Sequence, residues 1–192
     1  LWESGKPLQI EDNIEIPKLL EGQVLIKLAY SGVCHSQLME VRGKRGKDLY
    51  LPHLLGHEGC GQVIAVGNKI NKIKVGEWVI LGWIKGKGKD AKGAKYNING
   101  QTINSGPVTT FSTYTVVSEN RIVPLPKNLP KDIAVLFGCA LPTGAGIVLN
   151  EIKPKNNSSI GIFGLGGIGL SALLSLKIFK CSKIIAIDVS EE

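Results

Sequence analysis

Three separate segments of the sequence carry the side chains that soft metal ions prefer. Cys34 lies beside His35 after a β-rich stretch, Gly56-His57-Glu58-Gly59 sets an imidazole and a carboxylate among glycines, and Cys139 follows Gly138. Thiolates and imidazoles are the usual ligands of zinc. No Cys-x-x-Cys pair occurs among the 4 cysteines, which excludes a zinc finger. A site built from these residues therefore has to be assembled by folding.

Each cysteine taken alone has a simpler interpretation, a buried thiol that packs as a small apolar side chain. Cys60, at the start of an apolar strand, and Cys181, between an apolar helix and an apolar strand, fit that interpretation. The glycine-rich surroundings of His57, and the position of Cys139 near a change in sequence pattern, favour chemistry for the other two cysteines.

A second candidate site is the segment Gly164-Leu165-Gly166-Gly167-Ile168-Gly169, which fits the pattern G-x-G-x-x-G. It follows a strand-like stretch and opens an apolar helix, and Asp188 comes 19 residues after Gly169, at the end of the next strand. This is the context that dinucleotide binding requires, because the glycines let the backbone approach a pyrophosphate at a helix N-terminus. The acidic residue would accept hydrogen bonds from the adenosine ribose, which favours NAD over NADP.

The elements that would position these residues fall into two groups. In the first part of the chain we predict strands at 24–31, 60–66, 77–81 and 111–118, a short helix capped by Ser36, and an irregular lobe at 85–107. Several short strands favour a β-dominated domain such as a partly open barrel. In the second part we predict helices at 132–137, 143–151 and 167–180 and strands at 159–163 and 183–189. The last three elements, from 159 onward, make a βαβ unit.

Composition excludes several classes of protein. The chain has 192 residues and a net charge of +7, and 43% of its residues are hydrophobic, which fits a globular protein rather than a disordered or coiled-coil one. No apolar run reaches the length of a membrane span. The lysines between 85 and 95 have no accompanying nucleic-acid motif, so we expect a solvated loop there. The spacing of the cysteines does not suggest a secreted disulfide framework, and we expect a cytoplasmic location.

Taken together, these motifs resemble the zinc-containing alcohol dehydrogenases of the medium-chain dehydrogenase/reductase family. The resemblance covers nearly the whole chain and is carried, in order, by Gly32-Val33-Cys34-His35-Ser36, Gly56-His57-Glu58-Gly59 with Gly61 and Val66-Gly67, Gly138-Cys139 with Pro142-Thr143-Gly144, and Gly164 to Gly169 with Asp188. It implies a two-domain protein that combines α+β and α/β architecture. Residues 1–140 would form a GroES-like partial β-barrel, and residues 141–192 the first half of a Rossmann NAD-binding domain.

The same resemblance implies roles for individual residues. Cys34, His57 and Cys139 would bind one catalytic zinc, and Glu58 would be a carboxylate able to approach it. Ser36 would pass the alcohol proton outward, and the zinc would acidify that alcohol for hydride transfer to NAD. The cofactor would contact His35, Thr143, the glycine segment and Asp188. Trp83 would line the substrate pocket, or would be a core aromatic residue.

Three departures from the family pattern modify these expectations. An aspartate is expected directly after Ser36, but this chain has Gln37, whose neutral amide can orient His57 without raising its basicity. Met39 replaces a histidine that relays protons in many members. Residues 82–118 contain no cysteine, so we expect no structural zinc.

We therefore predict a zinc-dependent, NAD-linked oxidoreductase that interconverts a small alcohol with its aldehyde or ketone, without nucleic-acid or membrane partners. Two alternatives are a zinc-free quinone or enoyl reductase that uses NADPH, and a non-catalytic fragment of a dehydrogenase. Since only half of a dinucleotide fold is present, we expect this stretch alone to be inactive. The family resemblance also implies a homo-oligomer for the complete protein.

Overall fold

The computed structural model describes residues 1–190, which form two compact units, and the first unit ends at Gly138. The division comes two residues before the predicted domain boundary at residue 140. Residues 191 and 192, the end of the predicted second domain, lie outside the described part of the chain.

The first unit contains seven strands in two antiparallel sheets. The strands are β1 Gln23–Ser31, β2 Gly59–Val66, β3 Trp78–Leu81, β4 Lys95–Ile98, β5 Gln101–Asn104, β6 Tyr114–Ser118 and β7 Ile122–Pro124. Five of them form one sheet in the order β6-β1-β2-β3-β7, and β4 pairs with β5. The β-dominated architecture predicted for this part of the chain is confirmed.

The core of the first unit is formed by the inward-facing side chains of the five-stranded sheet. Alternate residues of β1, such as Val24 and Ile26, are fully buried, as expected for a strand with one face against the core. They pack in one cluster with residues from β2, β3, β6 and β7: Val63, Val79, Leu81, Val117 and Ile122. These β-branched and aliphatic side chains favour the strand conformation and supply the apolar area that stabilises it.

The register between β1 and β2 decides where the candidate ligands lie. Ser31, the last residue of β1, pairs with Gly59, the first residue of β2, and Leu81 at the end of β3 pairs with Gly59 on its other side. The pairing continues for one further bond, from the Gly32 N–H to the Glu58 carbonyl oxygen, at 3.1 Å. Antiparallel pairing therefore brings the segment after β1 and the segment before β2 to the same edge of the sheet.

Residues 85–107 are not wholly irregular, so that prediction is corrected. Within this segment β4 and β5 form a hairpin whose turn residues Asn99 and Gly100 both have positive φ angles, 50° and 84°. Asn-Gly is the preferred dipeptide of such two-residue turns. The lysine and glycine content of the segment obscured this signal.

Helices in the first unit are short. α1 spans His35–Val41 with Cys34, not the predicted Ser36, at its N-cap, and α2 spans Lys131–Ala134 before a 3₁₀ turn at Val135–Gly138. The first residue of α1, His35, thus directly follows a candidate metal ligand.

The second unit has the predicted βαβ arrangement. α3 spans Ala140–Gly146 and continues as a π-helix at Ile147–Ile152, followed by β8 Ser159–Phe163, α4 Gly167–Leu176 and β9 Lys183–Ile187. The two strands pair in parallel. α4 ends at Leu176, earlier than the predicted residue 180, because the next three amides bond carbonyls only three residues back, as in a tightening last turn.

No single helix within residues 1–190 has both the length and the apolar character needed to cross a membrane. Two consecutive helical segments, Lys131–Gly138 and Ala140–Ile152, meet those two requirements only when they are taken together.

A buried carboxylate fixes the loops around the first half of the 85–107 segment. Glu119 is 2% exposed, and its two oxygens accept the backbone N–H groups of Asn71 and Lys72, both at 2.8 Å, and of Lys89, at 2.7 Å. Desolvation alone would raise the pKa of Glu119, but these backbone donors outweigh it, and the net pKa is lowered. The ionised carboxylate is therefore an acceptor that the fold requires.

We expect the substitution Glu119→Gln to lower the free energy of unfolding by about 1–3 kcal/mol at neutral pH. Both carboxylate oxygens accept backbone N–H groups, so the NH₂ group of a glutamine would face one of these donors instead of accepting from it. The native pKa of Glu119 lies below its unfolded value, so this stabilisation exists above the ordinary pKa of about 4.3 and is lost as the pH falls. Urea unfolding at several pH values measures the difference. The control is Glu77→Gln, an exposed carboxylate with one such bond, at 3.0 Å; equal losses in both variants would contradict the expectation.

Candidate functional site

The three predicted metal ligands come together at the sheet edge described above. One ligand atom from each of Cys34, His57 and Cys139 lies within 4.8 Å of the other two. Cys34 follows β1 and His57 precedes β2, so the strand register accounts for their approach. Cys139 is bonded directly to Gly138, the last residue of the first unit.

Chemically, this group of atoms fits a zinc ion. Two bonds of about 2.3 Å to one ion span at most about 4.6 Å, so separations up to 4.8 Å need only small side-chain shifts. All three side chains are partly exposed, which leaves room for a further ligand. Burial lowers the pKa of His57, and this favours the neutral ring that ligates metals. Two thiols and an imidazole are the donor set of a catalytic rather than a closed structural site.

Gln37 connects two of these ligand-bearing segments. It lies on α1, is 5% exposed, and its Nε2 atom is 2.6 Å from Nδ1 of His57. Its Oε1 atom accepts the backbone N–H of Cys34 at 3.1 Å. The expectation that the amide orients His57 is consistent with this contact, while the bond to Cys34 had no counterpart in the sequence pattern.

Glu58 lies next to His57 in sequence but is not one of the three mutually close ligand residues found within the described chain. Its side chain is 3% exposed and fits between two glycines. A Cβ atom on Gly32 would lie 2.6 Å from the carboxyl carbon of Glu58, and one on Gly138 would lie 2.6 Å from its Cβ. Gly32 comes two residues before Cys34, and Gly138 comes directly before Cys139. The packing of Glu58 against these glycines therefore constrains the backbone positions of the two cysteine-bearing segments.

A pocket of about 710 Å³ lies within the first unit and includes His57 in its wall. Trp83 also lines this pocket, is 52% exposed, and meets the His57 ring edge-on with the ring centres 6.2 Å apart. This placement favours the pocket role for Trp83 over the core role. Apolar and polar groups both line the pocket, and its polar side chains include Gln37, Glu40, Arg45 and His53. Of these, Gln37 was singled out in the sequence by its departure from the family pattern.

The two α1 residues predicted to act in catalysis and cofactor binding differ in exposure. His35 is exposed at the first turn of the helix. The hydroxyl oxygen of Ser36 is buried and has no hydrogen-bond partner among residues 1–190. A buried hydroxyl without a partner is unusual in native proteins and often marks a functional position.

The glycine segment of the second unit has the conformation that the fingerprint requires. Gly164 has a φ angle of 89°, and a Cβ on Gly169 would collide with the carbonyl oxygen of Gly164. A Cβ on Gly166 would meet nothing within 4 Å, so the backbone there is open to a ligand. Gly167 and Ile168 begin α4, and their N–H groups lie at its N-terminus. This arrangement fits a pyrophosphate.

Two other residues predicted to bind the cofactor have definite contacts in the second unit. The Thr143 hydroxyl donates to the Cys139 carbonyl oxygen at 2.7 Å, which ties it to the first turn of α3. Asp188 accepts the N–H of Leu165 and, at 3.0 Å, that of Ser190, and backbone donors of this kind hold its pKa below the ordinary value. Asp188 therefore stabilises the glycine turn, and an ionised carboxylate retains acceptor capacity for ribose hydroxyls.

Comparison with known proteins supports the fold expected from the sequence. Residues 20–127 match the family model described as the alcohol dehydrogenase GroES-like domain. An S-(hydroxymethyl)glutathione dehydrogenase from a Synechocystis species is 33% identical, over 98% of this chain and 58% of that protein. The expected GroES-like partial barrel with the start of a Rossmann domain is confirmed.

Two solved structures are similar over most of the chain. An alcohol dehydrogenase zinc-binding domain protein from Burkholderia ambifaria is 27% identical, with a TM-score of 0.85 over 97% of this chain and 57% of that one. A benzyl alcohol dehydrogenase from Acinetobacter calcoaceticus is 31% identical, with a TM-score of 0.79 over 93% of this chain and 54% of that one. The chain thus spans a little over half the length of these relatives.

The fit of Glu58 against Gly138 is open to a direct test. We expect Gly138→Ala to cost about 1–3 kcal/mol of unfolding free energy, because the new Cβ would press on the backbone at Leu81 and Glu58 and neither can move freely. Urea denaturation measures the change. Gly86→Ala is the control, since its nearest neighbour would lie 3.6 Å away; similar stability in both variants would refute the argument.

Proposed function

Because the chain belongs to the zinc-type medium-chain alcohol dehydrogenase family, we propose that it carries the metal and coenzyme sites of a zinc-dependent, NAD-linked alcohol dehydrogenase. The observation that carries this proposal is the approach of Cys34, His57 and Cys139 to within 4.8 Å. Hydride transfer between an alcohol and NAD, giving an aldehyde or ketone, is the proposed reaction of the complete protein.

Cys34, His57 and Cys139 would hold one zinc ion, and when bound this ion would supply Lewis acidity at the oxygen of the alcohol or carbonyl group. The first unit provides the surroundings for that chemistry. The buried hydroxyl of Ser36 has donor and acceptor capacity that no residue between 1 and 190 uses, so it is available to take the alcohol proton and pass it on. Glu58 is buried next to His57 in sequence, and the metal contact proposed for it stays a proposal.

The second unit would bind the coenzyme. Gly164, Gly166, Gly167, Ile168 and Gly169 form the turn and helix N-terminus that would accept the pyrophosphate, and Asp188 would accept the ribose hydroxyls and disfavour a 2′-phosphate. His35 and Thr143 would complete the coenzyme contacts. The exposure of His35 and the fixed hydroxyl of Thr143 are compatible with these roles.

We propose a small alcohol or carbonyl compound as substrate, bound in the pocket that His57 and Trp83 line. The relatives named for S-(hydroxymethyl)glutathione and benzyl alcohol support an alcohol substrate without choosing between these kinds. For the complete protein we propose a homo-oligomer in the cytoplasm that acts without nucleic-acid or membrane partners. Cys34, Cys60 and Cys181 are free thiols, which suits a reducing compartment.

A second candidate, a zinc-free reductase that uses NADPH, is disfavoured by two observations. A zinc-free enzyme does not need two thiols and an imidazole close together, whereas this chain brings Cys34, His57 and Cys139 within 4.8 Å of one another. An acidic side chain beside the glycine turn also repels the 2′-phosphate of NADP. These two observations do not argue against the other alternative, a non-catalytic fragment that binds its ligands without turning over a substrate.

We expect the chain to bind one equivalent of zinc and the Cys139→Ala variant to lose it, because removing one of three protein ligands leaves too few bonds to retain the ion. Elemental analysis after dialysis measures the metal content. Cys181→Ala is the matched control, since this free thiol does not belong to the three-residue group, and it should keep the full equivalent. Zinc-free protein, or equal loss in both variants, would overturn the metal assignment.

We expect Asp188→Asn to reduce the preference for NADH over NADPH by about tenfold, equivalent to about 1.4 kcal/mol. The substitution removes the negative charge that repels a 2′-phosphate, and the remaining amide oxygen can still accept the Leu165 N–H. Dissociation constants from calorimetry with both coenzymes measure the ratio. Asp132→Asn, an exposed carboxylate on α2, is the control; an unchanged ratio in Asp188→Asn would count against the ribose role.

A further inference from the structure

Gln37 forms two short contacts that together restrict the protonation of His57. Its amide group has one acceptor, Oε1, and one donor group, Nε2. Oε1 accepts the Cys34 N–H at 3.1 Å, so Nε2 is the atom that faces Nδ1 of His57, at 2.6 Å. A backbone N–H can only donate, and this fixes the amide in one of its two orientations.

In this orientation the Nε2 group of Gln37 must donate, so Nδ1 of His57 must accept. A neutral imidazole carries one proton, which then resides on its own Nε2 atom. Nδ1 is occupied by Gln37, so Nε2 of His57 is the ring nitrogen left for a metal. The contact with Gln37 thus places a proton on the nitrogen that would have to ligate.

We propose, on the basis of the metal site proposed above, that Gln37 is a positioning residue whose amide orientation opposes metal binding, so that His57 can ligate only after this amide has turned over. The ring then keeps its single proton, which moves from Nε2 to Nδ1 and is donated to Oε1 of Gln37. The Nε2 group of Gln37 comes to face the Cys34 N–H, and one donor is left without its acceptor. Metal binding and the hydrogen bond that fixes the start of α1 are therefore in competition.

A carboxylate at this position would remove the competition, because both of its oxygens accept. Glutamate in place of Gln37 could take the Cys34 N–H on one oxygen and the His57 Nδ1–H on the other at the same time. Partners that hold a metal-bound histidine are typically worth 10–100-fold in metal affinity. We expect a gain of that size from Gln37→Glu.

Nitrogen-15 NMR of the metal-free chain tests the tautomer without any metal. The chain has only 3 histidines, so the His57 ring signals can be assigned by their loss in His57→Gln. At about pH 8, above the ordinary imidazole pKa, we expect the wild-type His57 proton on Nε2 and the Gln37→Glu variant to carry one on Nδ1. A wild-type His57 with its proton on Nδ1 would overturn the proposal.

Chelator competition with Co²⁺ and Zn²⁺ tests the energetic consequence. We expect Gln37→Glu to bind both ions 10–100-fold more tightly than wild type. The control Gln101→Glu adds the same charge at an exposed position on β5 and should not change the affinity. Equal affinities in the two variants would refute the role of Gln37. Failure of every form to bind an ion would instead overturn the proposed function, and the NMR result would stand independently of it.

Discussion

The pairing of β1 with β2 is the constraint on which the candidate site depends. Cys34 and His57 are 23 residues apart in the sequence, and neither lies in a strand. They meet because Ser31 pairs with Gly59 and because the ladder extends by one bond to Gly32 and Glu58. A shift of one residue in this register would turn every side chain of the strand to its other face. The buried alternation of Val24 and Ile26 opposes such a shift, so the apolar core and the site are specified by the same pairing.

Glycine at two positions converts this strand pairing into a compact site. Glu58 is buried beside His57, and its side chain occupies the volume that a Cβ on Gly32 or Gly138 would need. The first glycine comes two residues before Cys34 and the second comes directly before Cys139. A larger residue at either position would displace a cysteine-bearing segment, so these glycines are required for close approach rather than for a turn. Neither has a positive φ angle.

How far the sequence predicts this molecule depends on the range of the interactions. The strands of the main sheet were recognisable because β-branched residues recur in short runs, and the glycine segment with Asp188 was recognisable because its spacing is local. The three metal ligands required a family resemblance, since nothing local connects Cys139 with Cys34. The β4–β5 hairpin was missed although Asn99-Gly100 is a strong turn signal, because lysine and glycine dominate the surrounding composition. Strand β7 was also missed, since its three residues are held mainly by pairing with β3.

Gln37 shows most clearly what the sequence alone leaves open. The replacement of a carboxylate by an amide was visible in the sequence, and it predicted a weaker electronic effect on His57. The orientation of the amide was not visible, because it is set by the hydrogen bond from the backbone N–H of Cys34. That bond exists because Cys34 is the N-cap of α1, with Gln37 three residues further on. Ser36 had been expected at that N-cap. With Cys34 there, Gln37 accepts the Cys34 N–H with Oε1, so only its Nε2 donor is left to face His57. An amide, unlike a carboxylate, cannot accept from two donors on its two ends, so the helix start and the metal site are chemically coupled.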